Sequence, residues 1–312
     1  MEDWVFRRDL IDNRRLRALS RRSDLRGAVQ YGSQLLALSV TGTGLYLTWG
    51  GWWGVPLFLA HGVILWGFTY SGQHELLHRT PFSSLQLNDL AVRLTGFFRL
   101  WPPDHERYQH FGHHRHTKDP TNDPELIGAR PLSLPRYLWR LGGQGYWWRK
   151  GGTFLRTAIG AHPDPYVPDA AWPAIVREAR LYLLAYALVA ALSVYFQSWL
   201  AVMLWLGPMA ATAPFHPYYA LAEHHGLPHG PNILESTRTT LTNPLMRWLA
   251  WNMNYHTAHH LFPGVPFHAL PALHRELDIP LVRRGYVGFH LGMIRGLLRR
   301  DPVIVSGVAR QG

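Results

Sequence analysis

Eight histidines fall into three short clusters that could together bind metal ions. Histidine makes up 19 of the 312 residues, and the clusters have the spacings HxxxH, HxxHH and HxxHH. Their members are His74 and His78, then His110, His113 and His114, and finally His256, His259 and His260. On a helix, residues three and four apart share one face, so each cluster presents its imidazoles in one direction. Because neutral imidazole is a common ligand of iron, zinc and copper, the clusters predict a metal centre.

The first cluster also matches HExxH, the zinc metalloprotease motif, in which Glu75 would act as the general base. A protease of this kind needs only one further ligand, which would leave both HxxHH clusters without a role. A dinuclear centre accounts for all eight histidines, so we favour it. In that centre we expect Glu75 to accept a hydrogen bond that orients an imidazole. The chain has no cysteine, which excludes iron–sulfur clusters and thiolate zinc sites within it.

Two long uncharged segments must position these clusters. Residues 27–74 and 181–222 contain no Asp, Glu, Lys or Arg. A membrane-spanning helix needs about 20 apolar residues, so each segment fits two helices joined by a turn. The predicted spans are about 28–48, 55–77, 180–196 and 200–224. The sequence therefore predicts an all-α integral membrane protein with four transmembrane helices in two hairpins, and a cytosolic helical cap that carries the histidines.

The basic residues predict the orientation of the chain. None of the 31 Lys and Arg residues lies in a predicted hairpin turn, so the positive-inside rule places both termini and the middle segment in the cytoplasm of a bacterial cell, beneath its inner membrane. All three clusters then lie on one side and can converge. The single predicted domain divides into an N-terminal arm at 1–26, a first hairpin at 27–74, a cap at 75–177, a second hairpin at 178–222, and a further cap with the tail at 223–312.

Local signals predict the helices of the cap. Residues 85–101 have the pattern of an amphipathic helix on the membrane surface. Asp104 is placed to cap a helix that carries the second cluster and ends before Asp119 and Pro120. The Asn243-Pro244 pair is placed to begin one helix that carries the third cluster as far as Pro263.

These features resemble the membrane fatty acid desaturase superfamily of non-haem diiron enzymes. The resemblance covers roughly residues 30–280 and is carried by the three clusters, their order, the hairpins, and the segments GHHRHTKDPTNDPEL at 112–126 and NMNYHTAHHLFPGVPFHALPALH at 252–274. It implies that the eight clustered histidines bind two iron ions. Related enzymes add a histidine after the fourth helix, and His224 occupies that place here. Glu75, Asn252 and Asn254 are candidates for contacts just outside the ligand set.

The resemblance implies an O₂-dependent oxidoreductase that introduces a C=C bond into a fatty-acyl or similar apolar substrate. A hydroxylase or ketolase on the same scaffold, and a desaturase of a small amino-acid-derived compound, remain open, because fold-level similarity does not choose among them. The first cluster has a shorter spacing than acyl-CoA Δ9 desaturases tend to have, which makes that subgroup less favoured.

Partners follow from the same resemblance. The chain lacks the HPGG haem motif of cytochrome b5, so we expect a separate electron donor protein, a ferredoxin or similar carrier with its reductase, which a basic cytosolic face would suit. Topology accounts for the basic residues and no nucleic-acid-binding motif is present, so we expect no nucleic-acid partner. A non-catalytic metal transporter or sensor is a further alternative. It is disfavoured because the predicted spans, apart from their cytosolic ends at 74–77 and 223–224, hold only His61 and His216 as ionisable metal-binding groups and no carboxylate.

Overall fold

The computed structural model describes residues 8–126, 131–161 and 164–306, which are almost entirely helical. The longer helices are Asp24–Leu47, Gly54–Leu77, Leu85–Arg99, Pro103–Arg115, Gln144–Ile159, Trp172–Tyr195 and Gly285–Leu298. The shorter ones are Asn13–Leu19, Leu134–Leu141, Val202–Ala211, Phe215–His224, Ile233–Ser236, Pro244–Leu249, His256–Leu261, Leu270–Glu276 and Pro302–Ser306. Single 3₁₀ turns cover Arg8–Leu10, Asp169–Ala171 and Met253–Tyr255. The strands Thr239–Thr240 and Leu281–Val282 pair in parallel, and the all-α class is confirmed.

The four predicted spans are supported only in part. Among the described residues, the helix Gly54–Leu77 is the one that is long and apolar enough to cross a membrane. The predicted helix 200–224 is interrupted by a turn at 212–214, so its apolar part, Val202–Ala211, is short. Pro214 explains this interruption, because proline disfavours the helical conformation of the residue before it and lacks an amide hydrogen.

The two predicted hairpins pack against each other around the helix Gly54–Leu77. In the middle of this helix, Gly62 lies so close to the Pro208 carbonyl that a methyl group on its Cα would overlap it. The imidazole of His61 is buried beside this contact, with Nδ1 2.7 Å from the Thr41 hydroxyl and Nε2 2.8 Å from the Leu204 carbonyl oxygen. One buried side chain thus joins three helices, a structural role that satisfies both of its nitrogens.

The helix Gly54–Leu77 changes its winding before it reaches the first histidine cluster. Its segment Gly67–Ser71 is a π-helix, which widens the helix locally and rotates the turn that follows. A Cβ atom at Gly67 would lie 2.8 Å from the Leu249 carbonyl oxygen, so glycine allows this close approach. The π segment therefore sets the direction in which His74 leaves the helix.

The cap contains the predicted helices with two corrections. The amphipathic helix is confirmed as Leu85–Arg99. The helix Pro103–Arg115 carries the second cluster, but Asp104 does not cap it; Pro103 is its first residue, and the Asp104 amide donates a hydrogen bond to Glu178 Oε2 at 2.8 Å. Pro103 has no N–H to satisfy, and the Glu178 carboxylate accepts the next one, so this side chain from another helix takes the place of the predicted cap.

The single helix predicted from Asn243 through the third cluster is wrong. Asn243 does cap the helix Pro244–Leu249, since its Oδ1 accepts the Met246 amide at 2.8 Å. The chain then turns at Trp251 and Asn252, whose φ angles of 52° and 58° are left-handed. A 3₁₀ turn follows before the helix His256–Leu261, so the third cluster lies on its own short helix.

The N-terminal arm folds back onto this third cluster. Leu19, at the end of the helix Asn13–Leu19, is buried in the hydrophobic core that also contains Leu261 and Leu270. Arg15 forms a two-oxygen salt bridge with Glu276, at 2.7 and 3.0 Å from its Nε. The part of the predicted arm before residue 8 lies outside the described residues, and the domain boundaries remain predictions.

Candidate metal centre

The nine histidines singled out by the sequence lie together in two groups, in which seven side chains are buried and those of His74 and His78 are half-buried. We call them the five-histidine group, which consists of His74, His78, His110, His114 and His259, and the four-histidine group, which consists of His113, His224, His256 and His260. Within each group, one ring nitrogen from every member lies within 4.8 Å of the others. Each group is thus compact enough for its nitrogens to face a single ion.

Two helices contribute to both groups in a reciprocal way. On Pro103–Arg115, His110 and His114 are four residues apart and join the five-histidine group, while His113 joins the other. On His256–Leu261 the assignment is reversed. His256 and His260, four residues apart, join the four-histidine group, and His259 joins the five-histidine group. Neighbouring residues on a helix point about 100° apart, so one HxxHH helix can line two sites.

The facing nitrogens converge as metal ligands do. His224 donates its Nδ1 proton to the Ser236 carbonyl at 3.0 Å, so Nε2 of the neutral ring carries a lone pair. That Nε2 lies 3.1 Å from Nε2 of His113 and 2.8 Å from Nε2 of His256. Lone pairs that converge inside a protein repel each other unless a cation or a proton lies between them. The nitrogen-only donor set therefore fits a metal such as iron in each group.

The five-histidine group shows the same crowding. Nε2 of His110 lies 2.7 Å from Nε2 of His78 and 3.1 Å from Nε2 of His114. His259 is fully buried, and neither of its ring nitrogens has a hydrogen-bond partner in the described part of the chain. A buried polar atom without a partner is costly, and a metal ion would satisfy these nitrogens.

Burial holds most of these imidazoles in the neutral form that binds metals. Loss of solvation, followed by the proximity of other imidazoles, lowers the pKa of His110, His114, His256, His259 and His260 well below the usual value. His113 is the exception. Burial lowers its pKa as well, but Asp123 and Glu125 outweigh that effect and raise it to about 9. A carboxylate beside a ligand imidazole makes that imidazole more basic and a stronger donor to a metal.

Comparison with known protein families decides the identity of this architecture. The profile of the fatty acid desaturase family matches residues 47–290, which include all nine histidines. The chain belongs to the fatty acid desaturase family. The resemblance drawn from the sequence is thereby confirmed, and so is the oxidoreductase class that goes with the family. No curated protein matched the chain.

Three contacts around the desaturase-family histidines were not foreseen from the sequence. His113 Nδ1 lies 2.9 Å from Asp123 Oδ1, His260 Nδ1 lies 3.0 Å from the Thr117 hydroxyl, and His224 bonds to the Ser236 carbonyl. Thr117 follows His113 by four residues and donates to the His113 carbonyl at 2.7 Å, but its spacing gives no sign of the contact with His260. Asp123 lies within the segment 112–126 that carried the family resemblance, but spacing alone gives it no role.

The expected contacts of Glu75 differ from those in the structure. Its fully buried carboxylate accepts hydrogen bonds from the Thr80 hydroxyl at 2.5 Å and from the Phe267 amide at 2.9 Å, and it makes none to an imidazole among the described residues. It therefore ties the first cluster to the loop after the third cluster. The sequence predicted an imidazole as its partner because Glu75 adjoins His74, but the carboxylate points toward the backbone instead.

The two asparagines near the third cluster also bond to other parts of the chain. Asn252 accepts from Arg247 Nε at 3.0 Å and donates to the Phe267 carbonyl at 3.1 Å. Asn254 donates to the Thr240 carbonyl at 3.1 Å, while its Oδ1 is buried without a hydrogen-bond partner in the described ranges. Asn252 thus shapes the left-handed turn, and Asn254 retains one free acceptor close to the histidines.

Proposed function

We propose that this chain is a membrane-bound, O₂-dependent diiron desaturase that introduces a C=C bond into a fatty-acyl or similar apolar substrate. The observation that carries the proposal is the presence of two adjacent groups of mostly buried imidazoles in a member of the desaturase family. The groups are close neighbours, since the rings of His114 and His260, one from each, stack with centroids 4.1 Å apart. Adjacent sites of this kind suit two metal ions that act together.

Iron is the proposed metal because the donor set is purely nitrogen and large. A single tetrahedral zinc ion would use four ligands and leave the remaining imidazoles unexplained. When two iron ions are bound, they supply the activation of O₂ that removes hydrogen from an unactivated C–H bond. The surrounding protein fixes the direction of the imidazoles. By burying most of them, it also keeps most of them neutral and shields them from water.

A membrane location is supported by the exposed surface of both proposed hairpins, 27–74 and 178–222. Large exposed apolar side chains include Val29, Leu36, Val40, Leu47, Trp52 and Trp53 in the first, and Leu181, Leu184, Leu188, Leu192, Val194 and Trp199 in the second. Monomeric soluble proteins rarely expose so much contiguous apolar area. Trp52, at a hairpin turn, is 94% exposed and suits a membrane–water interface. We propose an inner-membrane protein with both termini and the metal centre on the cytoplasmic side.

Electrons are proposed to come from a separate soluble donor. The chain carries a formal net charge of +11, and its basic residues lie outside the hairpin turns. An acidic ferredoxin or similar carrier would be attracted to such a face, which raises its rate of encounter with the enzyme. We propose no nucleic-acid partner.

Two alternative reactions remain on the same scaffold. A hydroxylase or ketolase would add oxygen at the carbon that a desaturase leaves unsaturated, and the substrate could be a small amino-acid-derived compound. The metalloprotease alternative is disfavoured, because it needs a single zinc ion and would leave the four-histidine group without a role.

Product analysis tests the proposed reaction. Lipids and small metabolites are extracted from cells that express the chain together with a ferredoxin and its reductase, and are analysed by mass spectrometry. Cells that express the variant His259→Ala serve as the matched control, because His259 is fully buried in the metal centre. Products that lack two hydrogens and appear only with the intact chain support the desaturase. Products that gain oxygen favour the hydroxylase, and extracts identical to those of the His259→Ala control would contradict both.

A further inference from the structure

The two histidine groups differ in how firmly their imidazoles are held. In the four-histidine group, three rings are hydrogen-bonded through Nδ1. His113 bonds to Asp123 at 2.9 Å, His224 to the Ser236 carbonyl at 3.0 Å, and His260 to the Thr117 hydroxyl at 3.0 Å. The Thr117 hydroxyl donates its own proton to the His113 carbonyl at 2.7 Å, which leaves an oxygen lone pair for the His260 ring. These three rings are therefore fixed in orientation and tautomer before any metal arrives. The fourth ring, His256, has no such hydrogen bond among the described residues, and its Nδ1 lies 3.5 Å from Glu223 Oε1.

The five-histidine group lacks such supports. Nδ1 of His74 and of His114, and both nitrogens of His259, are buried without a hydrogen-bond partner in the described ranges. No hydrogen bond at these nitrogens selects one orientation or one tautomer for these rings. Metal binding must then order them, and that loss of conformational freedom subtracts from the binding free energy.

We propose that the four-histidine group binds its metal ion first and more tightly than the five-histidine group, and that Asp123 is the positioning residue that sets this order. The inference rests on the proposed diiron function, which assigns one iron ion to each group. A hydrogen-bonded carboxylate orients its imidazole and raises its basicity, and loss of such a partner typically lowers metal affinity by about 10- to 100-fold.

Asp123 is held in place independently of His113. Its side chain is 1% exposed, and it accepts hydrogen bonds from the backbone amides of Lys118 at 2.8 Å and Glu125 at 2.9 Å. The carboxylate is thus fixed by the loop around it and imposes its position on the imidazole. The chain offers a matched pair elsewhere, since His105 Nε2 lies 3.0 Å from Asp164 Oδ2 and neither residue belongs to a histidine group.

The test is an anaerobic titration of the full-length, metal-stripped protein in detergent, with ferrous iron alone as the titrant. Binding is measured by calorimetry, and the bound iron is measured by elemental analysis after desalting. We expect two binding steps of different affinity in the unaltered chain. Asp123→Asn should weaken the tighter step by about 10- to 100-fold and leave the weaker step in place. Thr117→Val should weaken the same step, and excess iron should restore two bound ions in both variants. His78→Ala should remove only the weaker step.

Asp164→Asn is the control, because it breaks a histidine–aspartate pair of the same kind outside both groups, and it should leave both steps unchanged. Retention of the weaker step in Asp123→Asn shows that the fold is intact. Two steps of equal affinity, a loss confined to the weaker step in Asp123→Asn, or an equal effect of Asp164→Asn would overturn the inference while leaving the diiron proposal standing. Failure of the unaltered chain to bind iron would instead overturn the diiron function itself.

Discussion

His224 and two histidines on the same stretch of chain have very different surroundings. Nε2 of His224 faces two other ring nitrogens of the four-histidine group, at 3.1 and 2.8 Å. His225 Nε2 instead lies 3.0 Å from Arg140, and the His216 ring stacks on Trp66 with centroids 5.4 Å apart. A single position along the chain thus separates a proposed ligand from a side chain engaged elsewhere.

This difference predicts the outcome of three substitutions. His224→Ala should lower the iron content and abolish turnover, because it removes one of four nitrogens from a buried site. His225→Ala and His216→Ala should keep both metals. The measurements are iron per chain and product formation in purified protein. If His224→Ala retained full iron and activity, the ninth ligand would have to be sought elsewhere, and Asn254, with its buried free Oδ1, would become the next candidate through a water.

His268 provides a pH-dependent test of folding away from the metal ligands. Its Nδ1 lies 3.0 Å from Arg26, and burial together with this guanidinium lowers its pKa from 6.5 to about 4. A histidine with a lowered pKa binds fewer protons in the folded state than in the unfolded state. Folded-state stability should therefore fall as the pH decreases from 6.5 toward 4.

The measurement is the thermal unfolding midpoint of the metal-free protein in detergent across that pH range. His268→Gln should make the acid-induced decrease shallower, because the group that gains a proton on unfolding is gone. Arg26→Gln should act in the same direction, since it allows the His268 pKa to rise toward its ordinary value. A slope that is unchanged in both variants would contradict this account of the Arg26–His268 contact.

Residue types and spacing identified eight histidines, and the family resemblance added His224, but neither identified the groups that orient them. The histidines stand out because three clusters share helical spacing. Asp123 lies ten residues after His113, a spacing that matches no helical or strand period. Two turns bring its side chain back to His113, in which the Asp119 amide donates to the His116 carbonyl and the Asp123 amide donates to the Asp119 carbonyl. The acceptor for His224 is a backbone carbonyl, that of Ser236, which no side-chain pattern can reveal.

At the scale of helices, the sequence predicted where helices lie better than where they break. The interruption at Trp251 and Asn252 has no glycine or proline to mark it. Tertiary contacts impose it instead, since the Trp251 indole is fully buried and donates to Gln34 Oε1 at 2.9 Å. The break at 212–214 did carry a signal in Pro214, but the long uncharged segment concealed it.

The crossing of the two hairpins at Gly62 predicts a sharp steric effect. Gly62→Ala would place a methyl group against the Pro208 carbonyl, a backbone atom that cannot move aside cheaply. Overpacking of this kind costs about 1–3 kcal/mol, so the unfolding temperature in detergent should fall. Gly32→Ala is the matched control, because the same added atom in the helix Asp24–Leu47 meets nothing within 4 Å. An equal effect of the two substitutions would show that the crossing is not close-packed.

At the scale of the whole molecule, the arrangement of charge defines the proposed orientation. The hairpin turns near Trp52 and Trp199 carry no basic residue, while the termini and the cap carry all of them except Arg180, which lies at the entry to the second hairpin. The sequence could predict this division because charge is read directly from composition. It could not predict how the short apolar helix Val202–Ala211 sits beside Gly54–Leu77, which depends on packing.

Reporter fusions test this orientation. A cytoplasm-active reporter fused after the C-terminal residue, or before the first residue, should be active, since both termini are expected on the cytoplasmic side. A reporter that is active only on the outer side should be silent at both positions. The opposite result at either terminus would overturn the topology and the convergence of the histidine clusters on one side of the membrane.

The most direct test of the whole account is the metal content of the protein purified in detergent. Elemental analysis should find two iron ions per chain, because two buried groups supply nine imidazole nitrogens. The reduced protein should also be oxidised when O₂ is admitted. A single zinc ion per chain, with no iron after reconstitution, would contradict the diiron account and restore the HExxH metalloprotease as the leading alternative.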